Sequence, residues 1–202
     1  MPQGQCVGGG RIFIGVPEQA CGAGLNGATH WVDGVASGAF WQVLTSGFAH
    51  VGITHILFNM LVLWMLGPSI EQVLGRVRYL AVYFVALIGG SAGVMLFSEP
   101  WASVVGASGA IYGLMGALLV LAIRHEGNVR NILVWLGINV AISFTFPNIS
   151  WEGHLGGLLG GAAVAAILAY LPKERRNLQW PLIGAVAAVF VVIIVARALQ
   201  LA

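Results

Sequence analysis

The chain has 202 residues, 58% of them hydrophobic and only 8% charged, with a mean hydropathy of +0.89. A soluble domain carries about 25% charged residues, so this composition excludes a soluble globular protein and leaves a multi-pass membrane protein built as one helical bundle. A net charge of +2 and nine Lys and Arg residues make no basic run in the sequence, which argues against nucleic acid as a partner and for the lipid bilayer.

Residues 1–45 are mixed in character. Met1 to Gly10 is polar and Gly-rich and lacks the apolar core of a signal peptide. Trp31, Asp33, Phe40 and Trp41 follow. Trp is favoured at the membrane–water boundary, so residues 1–47 read as an interfacial segment outside the membrane. Cys6 and Cys21 are the two cysteines. They cannot alone supply the four ligands of a structural zinc site. They pair as a disulfide if this segment lies outside the cytosol, or they are two ordinary apolar residues.

Six apolar spans follow, near 48–67, 79–97, 107–123, 131–146, 152–171 and 180–197. The third and fourth are short for a bilayer. The expected fold is all-α, a polytopic transmembrane bundle of about six spans. Its core runs over 48–171, a basic loop over 172–179, and an additional C-terminal helix over 180–202.

The loops fix an orientation. Arg76 and Arg78 fall in the first, Arg124 and Arg130 in the third, and Lys173, Arg175 and Arg176 in the fifth. The loops 98–106 and 147–151 hold no basic residue. The positive-inside rule places the three basic loops in the cytoplasm and the other two outside. His50, His55 and Asn59 then lie near the outer end of the first span, Ser108 at the outer end of the third and His154 at that of the fifth. Charge asymmetry thus gathers the polar residues at one depth on one side.

Ionisable groups at membrane depth are costly and mark function. Ser108 and His154 fit a serine nucleophile and its base, since a hydroxyl needs a neighbouring base to take its proton. The plainer reading is a Ser bonded within its own helix and an interfacial His. Gly106 and Gly109 beside Ser108 allow a tight turn, and a helix N-terminus there favours a developing negative charge. His55 and Asn59, four residues apart, share one helix face. They serve either as oxyanion donors or as an inter-helix hydrogen-bonded pair. Tyr112 lies one turn after Ser108 and can stack on His154, or simply pack. His50 is expected to make local hydrogen bonds. No Asp or Glu is placed to orient His154, so the reading is a dyad. Gly157 and Gly161, like Gly156 and Gly160, are four apart, which lets helices approach closely. The segments Ser98–Val105 and Phe146–Trp151 flank the site and are candidates for covering it.

These residues resemble the rhomboid intramembrane serine proteases over about residues 38–171. His50-Val-Gly-Ile-Thr-His55-Ile-Leu-Phe-Asn59 is similar to the family's paired-His and His-x-x-x-Asn element. Gly106-Ala107-Ser108-Gly109 is similar to its Gly-x-Ser-Gly nucleophile element. His154-Leu-Gly-Gly157-Leu-Leu-Gly-Gly161 is similar to its base-bearing span, and Glu71 to Arg78 to its cytoplasmic loop signature. The resemblance implies cleavage of single-span membrane proteins near the outer face of a bacterial plasma membrane, without metal or cofactor. Ser108 would be the nucleophile and His154 the general base. The Ser108 N–H, His55 and Asn59 would form the oxyanion hole, and Tyr112 would stack on His154. Two departures stand out. No apolar stretch before residue 48 matches the family's first span, so residues 1–47 would be the outer loop that follows it, in a chain either cut short at its start or able to manage without that span. Trp41-Gln42 stands where the family usually has Trp-Arg. The alternative is a non-proteolytic relative that binds membrane proteins and guides their trafficking. A transporter would need polar residues through the full depth, and the lower halves of these spans are almost wholly apolar.

Overall fold

The structure, a computed structural model, describes residues 21–23, 29–31, 34–99, 102–146 and 149–201. Two short strands, β1 (Cys21–Ala23) and β2 (Thr29–Trp31), pair antiparallel with Cys21 opposite Trp31. This hairpin is a small addition to the expected all-α architecture; Cys6 and the Cys21 side chain lie outside what is described. A 3-10 turn (Val35–Ser37), the short α1 (Gln42–Thr45) and a second 3-10 turn (Ser46–Phe48) lead into the bundle. The bundle comprises α2 (Ile53–Leu74), α3 (Arg76–Phe97), α4 (Ser108–Arg124), α5 (Val129–Thr145), α6 (Trp151–Tyr170) and α7 (Gln179–Leu201).

By length and composition, α2, α3, α6 and the stretch Lys173–Leu201 can each cross a membrane, and α4 and α5 are shorter apolar helices of 17 residues. Seventeen residues rise about 25 Å, less than a hydrocarbon core of about 30 Å. The two short spans expected from hydropathy are these helices. The surface reinforces the membrane reading: Ile53, Phe58 and Trp64 of α2 are exposed, whereas Asn59 on the same helix is buried. A helix that turns its large apolar residues outward and its amide inward suits lipid and not water.

The first two spans differ from expectation at their ends. The eleven residues 68–78 read as a loop, yet α2 continues to Leu74, passing through Pro68, and α3 starts at Arg76. Gly75, at φ +78°, makes the whole turn. Hydropathy marks what lies in hydrocarbon, and these helices extend past it into a charged turn where Arg76 pairs with Glu71 at 3.2 Å.

The centre of the bundle is α3, α4 and α6. Buried Ile70, Val82, Leu114, Ala117 and Val164 fill one core cluster between α2, α3, α4 and α6. Nearer the site, the contact is backbone on backbone. A methyl group on Gly157 of α6 would run into the carbonyl oxygen of Gly109 of α4, and one on Gly161 into that of Gly113. In a bilayer, apolar burial gives no net driving force between helices, so close van der Waals contact between small residues supplies the attraction. By contrast, α5 buries only Ser143.

Candidate active site

Ser108 is the first residue of α4, and His154 lies in the first turn of α6. The glycine contacts between these helices bring them together: His154 Nε2 lies 2.9 Å from Ser108 Oγ. His154 is buried and Ser108 half-buried. Ser150 caps α6 by accepting from the Gly153 amide at 3.1 Å, which fixes the turn that carries the imidazole. Ala107 offers no side-chain cap to α4, so the first amides of that helix, those of Ser108 and Gly109 among them, point free at its N-terminus.

The turn before Ser108 depends on Gly106. Its φ of +123° is a conformation L side chains rarely adopt, and its amide donates to the Ser46 carbonyl at 2.9 Å. Space is also lacking. A methyl group there would lie 2.7 Å from His55 Nε2 and 3.8 Å from Asn59 Nδ2. Both side chains therefore crowd the turn that presents Ser108. Asn59 Nδ2 donates to the His55 carbonyl at 3.0 Å, which leaves the second amide hydrogen for another acceptor. His50 meets the His55 ring edge-on, with centroids 5.0 Å apart. Local hydrogen bonds were expected for His50; both of its ring nitrogens are buried without a partner among the described residues.

Tyr112 stacks on His154 with ring centroids 3.9 Å apart and planes 10° from parallel. Its hydroxyl reaches Ser143 Oγ at 2.9 Å, and Ser143 Oγ lies 2.8 Å from His154 Nδ1. Sequence reading missed Ser143, which looks like any lone Ser in an apolar helix. The only hint was that it stands four residues after Asn139, so that both lie on one face of α5. Ser143 Oγ donates to the Asn139 carbonyl at 2.9 Å. With its one hydrogen spent, the oxygen accepts from Tyr112 O–H and from His154 Nδ1–H, which fills both lone pairs. This assignment places the imidazole proton on Nδ1 and leaves the Nε2 lone pair facing Ser108.

Above the pair, Trp151 stands between Phe97 of α3 and Phe144 of α5, with centroid distances of 6.2 and 5.8 Å. Of the two segments expected to cover the site, Ser98–Val105 begins one residue after Phe97 and Phe146–Trp151 ends at Trp151. Beside Ser108 and His154 is a small cavity of about 30 Å³, also lined by Ser46, Ser91 and Ser150. A cavity of that size has room for a water molecule. Among the described residues, no three His, Cys, Asp or Glu side chains converge as metal ligands would.

The fold and site define a multi-pass integral membrane protein with a partly buried Ser–His pair near one end of the bundle. Residues 37–171 match the Rhomboid domain family model. The chain is 41% identical over 165 residues to "Rhomboid protease GluP" of Bacillus subtilis (strain 168), covering 77% of this chain and 32% of that protein. It is 36% identical over 171 residues to the YdcA protein of the same organism, covering 82% and 85%. It is also 33% identical over 162 residues to "RHOMBOID-like protein 6, mitochondrial" of Arabidopsis thaliana, covering 75% and 52%. The chain belongs to the Rhomboid family, and it spans about a third of the length of the GluP relative.

Proposed function

We propose that this chain is an intramembrane serine endopeptidase. The observation that carries the reading is the 2.9 Å contact between Ser108 Oγ and His154 Nε2 inside an apolar bundle. In the proposed reaction, His154 Nε2 takes the Ser108 proton as Oγ attacks the scissile carbonyl. The tetrahedral oxyanion accepts hydrogen bonds from the Ser108 amide, Asn59 Nδ2 and His55, donors of the kind worth about 2.7–4 kcal/mol each. The imidazolium then protonates the leaving amine. A water, deprotonated by the same nitrogen, hydrolyses the acyl-enzyme, and the small cavity beside the pair supports such a water.

Tyr112 and Ser143 act through His154. The stacked ring holds the imidazole plane, and the Ser143 oxygen accepts from Nδ1–H, the place an anionic carboxylate fills in a soluble triad. A neutral acceptor avoids the cost of a charged Asp at membrane depth.

We assign residues 1–47 to an extracytoplasmic interfacial segment, 48–171 to the catalytic core, 172–179 to a cytoplasmic basic loop and 180–202 to an additional helix. Seven of the nine basic residues lie in the turns at the end of the bundle away from the dyad, while Arg197 bonds the Met95 carbonyl nearer the dyad; the majority supports a site facing outward from a bacterial plasma membrane. Substrates would be single-span membrane proteins. A substrate helix must unwind locally to expose its carbonyl. The rival reading, a non-proteolytic membrane-protein binding or trafficking factor, has no use for a nucleophile–base contact held by two further side chains.

The test is cleavage of a model single-span substrate in liposomes by wild type, Ser108→Ala and His154→Ala. Activity lost in both variants, each still folded, is the expected result. An inactive, folded wild type that also fails to react with a fluorophosphonate would overturn the reading in favour of the binding factor.

A further inference from the structure

Far from the dyad, the opposite end of the bundle holds a cavity of about 450 Å³. Ser108 begins α4 and Arg124 ends it, so the cavity lies one helix length, about 24 Å, from the nucleophile. Four cations line it: Arg78 from α3, Arg124 from α4, and Lys173 and Arg176 from the 3-10 segment Lys173–Leu178 that joins α6 to α7. No carboxylate is among the lining residues. None of the four is in an ion pair among the described residues, where the pair found is Arg76 with Glu71.

Two of the cations are held in place by neutral partners. Arg78 donates to Gln179 Oε1 at 3.3 Å, and Arg124 Nε donates to the Ala169 carbonyl at 3.3 Å. The Arg124 guanidinium also lies over the Tyr170 ring, 5.7 Å from its centroid. These contacts aim the groups without neutralising them, and a guanidinium has five N–H donors, most of them still available. The rest of the wall is partly apolar, with Leu121, Leu168 and Pro172. Orientation by positive charge needs basic residues in these loops; it does not need four of them, from three separate elements, around one hollow. Like charges so placed repel, and a bound anion relieves the repulsion.

We propose that this cavity is a phosphate-binding site, with arginines and a lysine gripping the phosphate oxygens. The apolar wall at a helix end favours an anionic phospholipid over a free phosphate as the source. Basic hollows between transmembrane helices are suited to such headgroups.

The test measures thermal unfolding of the full chain in an uncharged detergent, stripped of lipid. Phosphatidylglycerol, phosphatidylcholine or inorganic phosphate is titrated in. The comparison variant is Lys173→Gln/Arg176→Gln, whose side chains make no hydrogen bond within the described residues. Each cation facing an anionic headgroup is worth roughly fivefold in affinity, so the double variant should bind about 25-fold more weakly. Stabilisation by phosphatidylglycerol but not phosphatidylcholine, weakened in the variant, establishes the lipid site. The same pattern with inorganic phosphate alone establishes the phosphate site with a soluble ligand. No stabilisation by either anion, or equal stabilisation of the variant, overturns the proposal.

Discussion

Removing the Ser143 hydroxyl tests whether His154 is oriented through Nδ1. Ser143→Ala deletes the acceptor 2.8 Å from Nδ1 and the partner 2.9 Å from the Tyr112 hydroxyl. An unsatisfied buried donor costs about 1–3 kcal/mol. That penalty applies to the Nδ1–H tautomer, the one that leaves Nε2 free, and it grows as the imidazolium forms. A cost of about 2 kcal/mol lowers kcat about 30-fold. Ser143 does not face the Ser108 side of the ring, so KM should hold. The assay is single-span substrate cleavage in liposomes, with kcat and KM determined separately and folding checked by thermal unfolding. Ser143→Thr, which keeps a hydroxyl, should recover most of the rate. Tyr112→Phe keeps the stacked ring and should cost only about fivefold. Selective 15N labelling of histidine adds a readout that packing alone would not move: the Nδ1–H tautomer should dominate in wild type and lose ground in Ser143→Ala. A folded Ser143→Ala enzyme with wild-type kcat and an unchanged tautomer would refute the reasoning.

Two other outcomes follow from the same geometry. Asn59→Ala should lower kcat by about 100- to 1,000-fold with little change in thermal unfolding, because it removes one proposed oxyanion donor; a loss under threefold would move Asn59 to a purely structural role. Gly157→Ala should destabilise the bundle by about 1–3 kcal/mol, since the added methyl meets the Gly109 backbone, which cannot move aside as a side chain would; unfolding in graded detergent mixtures measures it, and an unchanged midpoint would count against the packing described.

The site was legible where polar residues stood out against an apolar background. Ser108, His154, His55 and Asn59 are conspicuous in spans that carry little else polar, and charge asymmetry in the loops placed them at one end. The glycine spacing announced the close approach of α4 and α6. Ser143 was invisible because its meaning lies entirely in its partners: a hydroxyl on α5 becomes informative only when the Tyr112 and His154 atoms around it are located. The Gly75 turn was missed for another reason. Hydropathy ends where the hydrocarbon ends, whereas hydrogen bonding carries α2 and α3 on to the last residues able to continue a helix. The gathering of four cations around the cavity at the other end was hidden likewise, since Arg78, Arg124 and the Lys173/Arg176 segment are far apart in the chain.

The glycine contacts between α4 and α6 also act as a ruler. Side chains can repack around a small sliding motion, but Gly157 against Gly109 and Gly161 against Gly113 leave nothing to repack. Slipping α6 so that Leu158 and Ala162 took the places of Gly157 and Gly161 would thrust a Cβ into a space that admits only hydrogen. Sliding in that direction is thereby blocked by backbone, and no rotamer entropy is lost in blocking it. Tolerance for error in the separation of Ser108 and His154 is therefore set by backbone atoms one to seven residues further along the same two helices.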